Sequence, residues 1–178
     1  MDHLTRRGLT GVMTTGWATA TLVAATITNG LMAGLFAAYS YAVMPGLGRA
    51  GDTTFVEAMQ QTNAAILNGW FGVCFGGSVV FAAVAVLLHL GRPGLPWIVA
   101  GLVLYLAMLV ITFGLNIPLN NQLDAAGPVD RIADLAAVRV RFEATWVRWN
   151  LVRALTSTAS FACLAWALVL QGRASAGA

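Results

Sequence analysis

The chain has 178 residues, of which 58% are hydrophobic and only 10% charged, with a formal charge of +3. A soluble domain carries about 25% charged residues, so a water-soluble globular fold is excluded, and a mean hydropathy of +0.76 points to a membrane protein. All ten basic residues are Arg and they are dispersed, which argues against a nucleic-acid surface, since that needs a clustered basic face.

Residues 8–48, 58–91, 93–123 and 154–172 contain no Asp, Glu, Lys or Arg. A hydrocarbon core takes about 20 apolar residues per helix, so each stretch can hold one span. Arg6 and Arg7 precede the first run in the manner of a twin-arginine signal. The run is longer than a signal core and has no clear cleavage site, so it reads as a retained first span.

Span 1 covers about residues 17–43 and is expected to stop at Met44-Pro45-Gly46, a helix breaker followed by a turn. The polar segment that follows suits the surface, with Asp52-Thr53-Thr54 placed to cap a short helix and Glu57 in its first turns. Span 2 covers about 63–90, and Gly91-Arg92-Pro93-Gly94 forms a tight turn. Span 3 covers about 96–115, starting on Pro96 at a favoured first helical position and ending at Asn116-Ile117-Pro118. A second polar segment reaches Arg148, with a short helix expected near Val129–Glu143, and span 4 covers about 149–170. No segment alternates over the length of a barrel strand. The expectation is an all-α, integral membrane, antiparallel four-helix bundle, with short surface helices in the 1-2 and 3-4 connections. Residues 1–178 form a single membrane domain in this reading.

Gly30-xxx-Gly34-xxx-Ala38 and Gly72-xxx-Gly76 suit either packing within the bundle or dimerisation, because small residues let helices approach. Antiparallel spans put Trp17, Trp97 and Trp166 on the face that holds both termini, and Trp70, Trp146 and Trp149 near the other, a belt on each side. Arg6 and Arg7 favour cytoplasmic termini; the larger Arg count on the opposite face favours the reverse. Cys74 and Cys163 read as small buried hydrophobes. His3 and His89 lack ligand-like spacing, so neither a protein metal site nor a haem pair is expected.

The same topology gathers polar residues at one membrane face. They are Tyr39, Ser40 and Tyr41; Gln60, Asn63 and Asn68; Asn116, Asn120 and Asn121; and Asn150 with Arg153. Along span 4, Arg139, Glu143, Trp146, Asn150, Arg153, Ser157 and Ser160 recur at three- and four-residue steps, so one helical face is polar from the surface into the membrane. Arg153 either snorkels to the interface or faces an inward pocket shared with Trp146 and Asn150. Around Pro118, Asn116 and Asn120 either satisfy carbonyls freed by the proline or face that pocket. Asn29, mid-span, is expected to make an interhelical hydrogen bond.

Several segments together resemble one known family. They are Met44-Pro45-Gly46-Leu47, Phe55-x-Glu57-Ala58-Met59-Gln60 with Asn63, Asn116-Ile117-Pro118-Leu119-Asn120, and Trp146-x-x-Trp149-Asn150-x-Val152-Arg153. The chain is similar in these segments to the anthrone-oxygenase-like family of small membrane proteins. The resemblance implies four spans and, as in some members, oxidation of anthrones to anthraquinones by O2 without a cofactor. It implies a site at Asn116, Asn120, Trp146, Asn150 and Arg153. The family often carries His after the Trp-Asn pair; here that position is Leu151.

The functional expectation is a cofactor-independent oxygenase. Arg153, Asn150 and Asn116 would stabilise a developing oxyanion, Glu57 or Glu143 would act as base, and Trp146, Trp149 and Tyr41 would stack on an aromatic substrate beside Asn63 and Asn120. No cofactor or metal is called for, and the partners are the lipid bilayer and a hydrophobic aromatic small molecule. The alternative is a non-catalytic membrane protein that holds a lipid or quinone-like ligand, or supports a partner protein. Transport is disfavoured, because the polar groups sit at one interface rather than near the midplane.

Overall fold

A computed structural model of the protein describes residues 3–176, with side chains from Gly16 onward; the side chains of His3, Arg6 and Arg7 lie outside what it describes. The long helix α1 (His3–Ala38) runs through a π-helical turn (Tyr39–Val43) into the short α2 (Met44–Leu47). Next come α3 (Asp52–Ala65), α4 (Gly69–Leu88) and α5 (Leu95–Ile111). A second π-helical turn (Thr112–Asn116) joins α5 to α6 (Ile117–Ala125); a 3-10 turn (Val129–Arg131) and α7 (Leu135–Ala176) complete the chain. The described residues contain no strand.

Four helical segments are long and apolar enough to cross a membrane: Gly16–Leu47, Gly69–Leu88, Leu95–Ala125 and Leu135–Ala176. Their contacts fix a membrane helical bundle. Between α1 and α7, the amide of Gln171 donates to Thr19, that of Asn29 to Ser160 and that of Asn150 to Phe36 O. The partner number falls as the first rises, so the pair is antiparallel. Between α5 and α7, Gly94 lies against Ala167, Gly101 against Ser160 and Leu164, and Asn116 of the π turn against Trp146, with the same outcome. A tight turn with Gly91 at φ 75°, a conformation natural only to glycine, reverses the chain from α4 to α5. Tyr105 Oη, fully buried, then donates to Phe75 O at 3.0 Å. The helices form a square in which α1 packs on α4 and α7, and α5 closes it.

Three apolar clusters fill this frame. Leu22, Ala25, Ala82, Ala85, Ile98, Leu164 and Ala167 hold the end near the termini, where alanines permit close helix approach. Met32, Phe36, Cys74, Tyr105, Met108 and Ala154 fill the middle. Met44, Phe55, Val56, Met59, Leu123, Phe142 and Trp146 form a surface lobe with α2, α3, α6 and the start of α7. Arg139 stitches that lobe together. Its Nε donates to Glu143 at 2.7 Å, Nη1 to Asp52 at 3.0 Å and Ala50 O at 2.8 Å, and Nη2 to Gly48 O at 2.9 Å.

The helix ends depart from the sequence reading in instructive ways. Neither Pro45 nor Pro118 breaks its helix. A proline ring collides with the carbonyl four residues back and has no N–H to bond it. Here each proline stands two residues after a π turn. In those turns Met44 N–H reaches Tyr39 O, and Ile117 N–H reaches Thr112 O, five residues back. The wider turn accommodates the ring, and the helix continues. The short helix expected near 129–143 is the beginning of α7 itself. Asn63 belongs to α3, and α4 starts later, at Gly69, where Asn68 Oδ1 accepts from Phe71 N–H at 3.0 Å as an N-cap. Gly51, not Asp52, precedes the first turn of α3, and Asp52 is occupied by Arg139.

Asn29 makes the expected interhelical bond, donating to Ser160 Oγ at 2.7 Å. Trp97 and Trp166 meet edge to face at 6.4 Å at the termini end, and Trp17 and Trp70 are exposed. Trp146 is no belt residue; it is buried. The end near the termini also has a polar set the sequence did not reveal. Buried His89 lies with Nδ1 2.7 Å from Ala85 O and Nε2 3.2 Å from Gln171 Oε1.

Of the small-residue positions, Gly30 lies against the Phe161 ring and Gly101 against Leu164, whereas a side chain at Gly34, Gly72 or Gly76 would meet nothing. A Cβ at Gly101 would stand 3.0 Å from Leu164 and 3.2 Å from Ser160 O. Gly101→Val is expected to cost about 1–3 kcal/mol through overpacking, while Gly34→Val leaves stability within about 0.5 kcal/mol. Thermal unfolding in detergent measures both; equal midpoints for the two variants would contradict the α5–α7 packing described.

Candidate functional site

A cavity of about 270 Å³ opens where the spans meet the surface lobe. Both π turns contribute to its wall, Tyr39 from the first and Thr112 with Phe113 from the second. Phe36 and Leu35 of α1, Phe71 and Phe75 of α4 and Trp146 of α7 supply the apolar surface. Thr62 and Asn63 of α3 and Asn120, Asn121 and Asp124 of α6 supply a polar rim. Asn150 and Arg153 of α7 complete the lining.

Arg153 is the central group. It is buried, with 6% of its surface exposed, so it does not snorkel. Its side chain turns inward because α7 buries Trp146, Asn150, Arg153, Ser157, Ser160, Leu164 and Ala167 along one stripe at three- and four-residue steps. Arg153 Nη2 donates to Asn150 Oδ1 at 2.8 Å. The guanidinium carbon lies 4.5 Å from the centroid of the Phe36 ring and 5.4 Å from that of Trp146. Aromatic faces are negative, so both rings favour the cation. Arg153 Nε is buried without a hydrogen-bond partner, and among the described residues no carboxylate pairs with this arginine.

A chain of amides sets the geometry around it. Asn150 is 1% exposed; its Nδ2 donates to Phe36 O at 3.0 Å and to Ser40 Oγ at 2.8 Å, leaving Oδ1 for the arginine. Trp146 Nε1 donates to Asn120 Oδ1 at 2.7 Å, which fixes the indole plane. Tyr39 packs against that indole at 5.8 Å, and Phe142 stacks on it at 5.9 Å. Asn116 lies behind the wall, fully buried, with Nδ2 at 3.4 Å from Trp146 O and Oδ1 without a partner. Asn63 Nδ2 is also buried and unpartnered, and Asn63 lines the cavity.

The structure thus brings Arg153, Asn150, Trp146, Asn120 and Asn63 to one cavity, with Asn116 supporting it from behind. Three expected residues lie elsewhere. Glu57 is exposed, because α3 turns Phe55, Val56 and Met59 inward and leaves that carboxylate on the opposite face. Tyr41 is 74% exposed, because the π turn directs Tyr39 inward instead. Trp149 is half-buried beside the stripe and does not line the cavity. Glu143, the other carboxylate considered, is bound to Arg139 at 2.7 Å. The sequence reading missed Phe36, Phe71, Phe75 and Phe113 as walls and Asp124 as the carboxylate at the rim. Leu151, where the resembling family often has His, is 48% exposed and not part of the lining.

A second hollow of about 360 Å³ runs between α6 and α7 past Leu123, Arg141 and Phe142. None of its lining residues has a buried unpartnered polar side-chain atom. Among the described residues, no group of three or more His, Cys, Asp or Glu is arranged to hold a metal ion.

One hollow thus combines a positive charge, unpartnered N–H donors and flat apolar walls. A family model described as anthrone oxygenase matches residues 68–163, more than half of the chain and inclusive of Asn120, Trp146, Asn150 and Arg153. No curated protein and no solved structure matches.

Because Asn150 bridges Arg153 to the α1 backbone, Asn150→Ala leaves Phe36 O and the guanidinium each one bond short. The expected loss is about 1–3 kcal/mol, read as a lowered unfolding midpoint in detergent, against no change for the exposed Gln122→Ala. An Asn150→Ala protein as stable as the parent would contradict this network.

Proposed function

The chain belongs to the anthrone oxygenase family, and from that premise we propose that it is a membrane oxidoreductase, a cofactor-independent anthrone-type monooxygenase acting on an aromatic polyketide-like substrate. The observation that carries this reading is Arg153: a buried guanidinium without a carboxylate, pinned by Asn150 between two aromatic rings and facing a cavity.

The reaction needs little machinery. An anthrone has an acidic carbon, and removing its proton leaves a delocalised oxyanion. That anion is electron-rich enough to form a carbon–oxygen bond with O2, giving a hydroperoxide. Breaking the O–O bond with loss of water leaves the second carbonyl. The substrate thereby loses four electrons, and O2 gains them as one quinone oxygen and one water.

The cavity supports substrate binding and charge stabilisation in residues of this chain. Arg153, with Asn150 setting its position, stabilises the oxyanion in a dry site, where fixed charges act strongly. Phe36, Trp146, Phe71 and Phe75 offer flat surfaces to the rings. Asn120 holds the Trp146 plane, and Asn116 holds its backbone. The substrate is an apolar aromatic molecule that reaches the site from the bilayer. We further propose a bacterial-type plasma membrane with both termini cytoplasmic; Arg6 and Arg7 ahead of the first span support that orientation.

In the test, purified protein in detergent receives an anthrone and O2, and quinone formation is followed by absorbance. Arg153→Ala and Arg153→Met are expected to lose about 10²–10³-fold in kcat. Quinone formation by the wild type no faster than by these variants would overturn the oxygenase reading. A co-purifying anionic lipid lost from both variants would then mark the cavity as a binding site.

A further inference from the structure

We infer that Asp124 is the base that removes the proton from the substrate carbon, with the substrate bound carbonyl-inward against Arg153. This rests on the oxygenase reading above and adds the residue and the substrate orientation.

Three observations carry it. First, Asp124 lines the cavity, whereas Glu57 lies on the outer face of α3 and Glu143 is paired with Arg139. The Asp124 carboxylate has no ion-pair partner among the described residues. Second, its position is built. Gln60 of α3 donates through Nε2 to Leu123 O at 2.9 Å and to Gly127 O at 3.0 Å, the carbonyls on either side of Asp124. That clamp fixes the end of α6, so Gln60 is a positioning residue.

Third, the cavity has two distinct ends. Arg153 lies seven residues further along α7 than Trp146, about 10 Å deeper at 1.5 Å per residue. Asp124 stands at the exposed rim on the last turn of α6. In an anthrone the acidic methylene carbon lies across the central ring from the carbonyl carbon. A carbonyl held by the deep arginine therefore turns the methylene toward the rim. The roles separate cleanly: the buried cation takes the negative charge, and the carboxylate takes the proton where water can carry it away. The step balances, since the C–H bond breaks, its electron pair delocalises onto the oxygen at Arg153, and the proton goes to an Asp124 oxygen.

The test isolates proton removal from oxygen chemistry. Wild-type protein in detergent is mixed with the parent anthrone in D2O without O2, and loss of the methylene proton signal is followed by NMR. The wild type is expected to accelerate exchange. Asp124→Asn is expected to slow the protein-catalysed exchange about 100-fold, a typical general-base contribution, while Asp124→Glu recovers part of it. Asp130→Asn, an exposed control, exchanges as the wild type does. Quinone quenching of Trp fluorescence is expected to stay unchanged in Asp124→Asn, showing an intact cavity. Protein-catalysed exchange should also fall at low pH as the Asp124 carboxylate takes up a proton, and that limb should vanish in Asp124→Asn.

Equal exchange in Asp124→Asn and wild type would overturn the assignment, as would a wild type that accelerates no exchange. Rapid exchange with no quinone formed once O2 is admitted would leave Asp124 as the base and overturn the oxygenase reading instead.

Discussion

The structure turns on one buried positive charge. Charged groups inside a membrane bundle are costly and persist where something compensates or uses them. Arg153 is compensated only in part: one hydrogen bond donated to Asn150 Oδ1, two aromatic faces, and, among the described residues, no carboxylate. Asn150 links that charge to the α1 backbone, so the end of α1 and the middle of α7 are held in register by the same amide that aims the guanidinium. The cation and the packing of the bundle are therefore one arrangement. Compare Arg139 in the surface lobe, where two carboxylates and two backbone carbonyls satisfy a similar guanidinium. Arg139 is a structural clamp, and Arg153 keeps bonding capacity in reserve.

The hollow beside Arg153 exists because two helices are locally widened. Each π turn adds a residue to its helical circuit, shifts the side chains that follow and relieves the proline behind it. Tyr39 and Thr112 reach the cavity from these turns. Hydroxyls beside the wider turns bond back to the preceding helical carbonyls, Ser40 to Phe36 O and Thr112 to Met108 O. Backbone irregularity is tolerated inside a membrane only where such partners exist. The polar rim then falls where α3 and α6 leave the bundle, which gives the cavity a dry deep end and a wet outer end.

Much of this was legible in the residues. Absence of charge over long stretches showed four spans, and the three- and four-residue recurrence along α7 located the inward face that carries Trp146, Asn150 and Arg153. The prolines were misjudged because a π turn changes the hydrogen-bond register by one residue and leaves composition untouched. Its trace is the shared offset of Pro45 and Pro118, visible only once the two segments are laid side by side. Span 2 looked too long because the apolar Ile66-Leu67 hides the break before the Asn68 cap. Glu57 could have been set aside from sequence: Phe55, Val56 and Met59 already define an inward face that excludes it. Asp124 falls in the polar segment after span 3, where composition does not set it apart. Only the fold of α6 against α3, through Gln60, brings it to the rim.

The most direct test of the central claim measures what the cavity does to a negative charge, apart from any turnover. A hydroxyanthraquinone bound to the protein changes colour when its phenol ionises, so its pKa can be read by spectrophotometric titration. If Arg153 stands ready for an oxyanion, the bound phenol should ionise about one unit or more below its value in water, since a nearby opposite charge favours the ionised form. A bound phenol whose pKa rises instead, as burial among hydrocarbon alone would cause, would contradict the account.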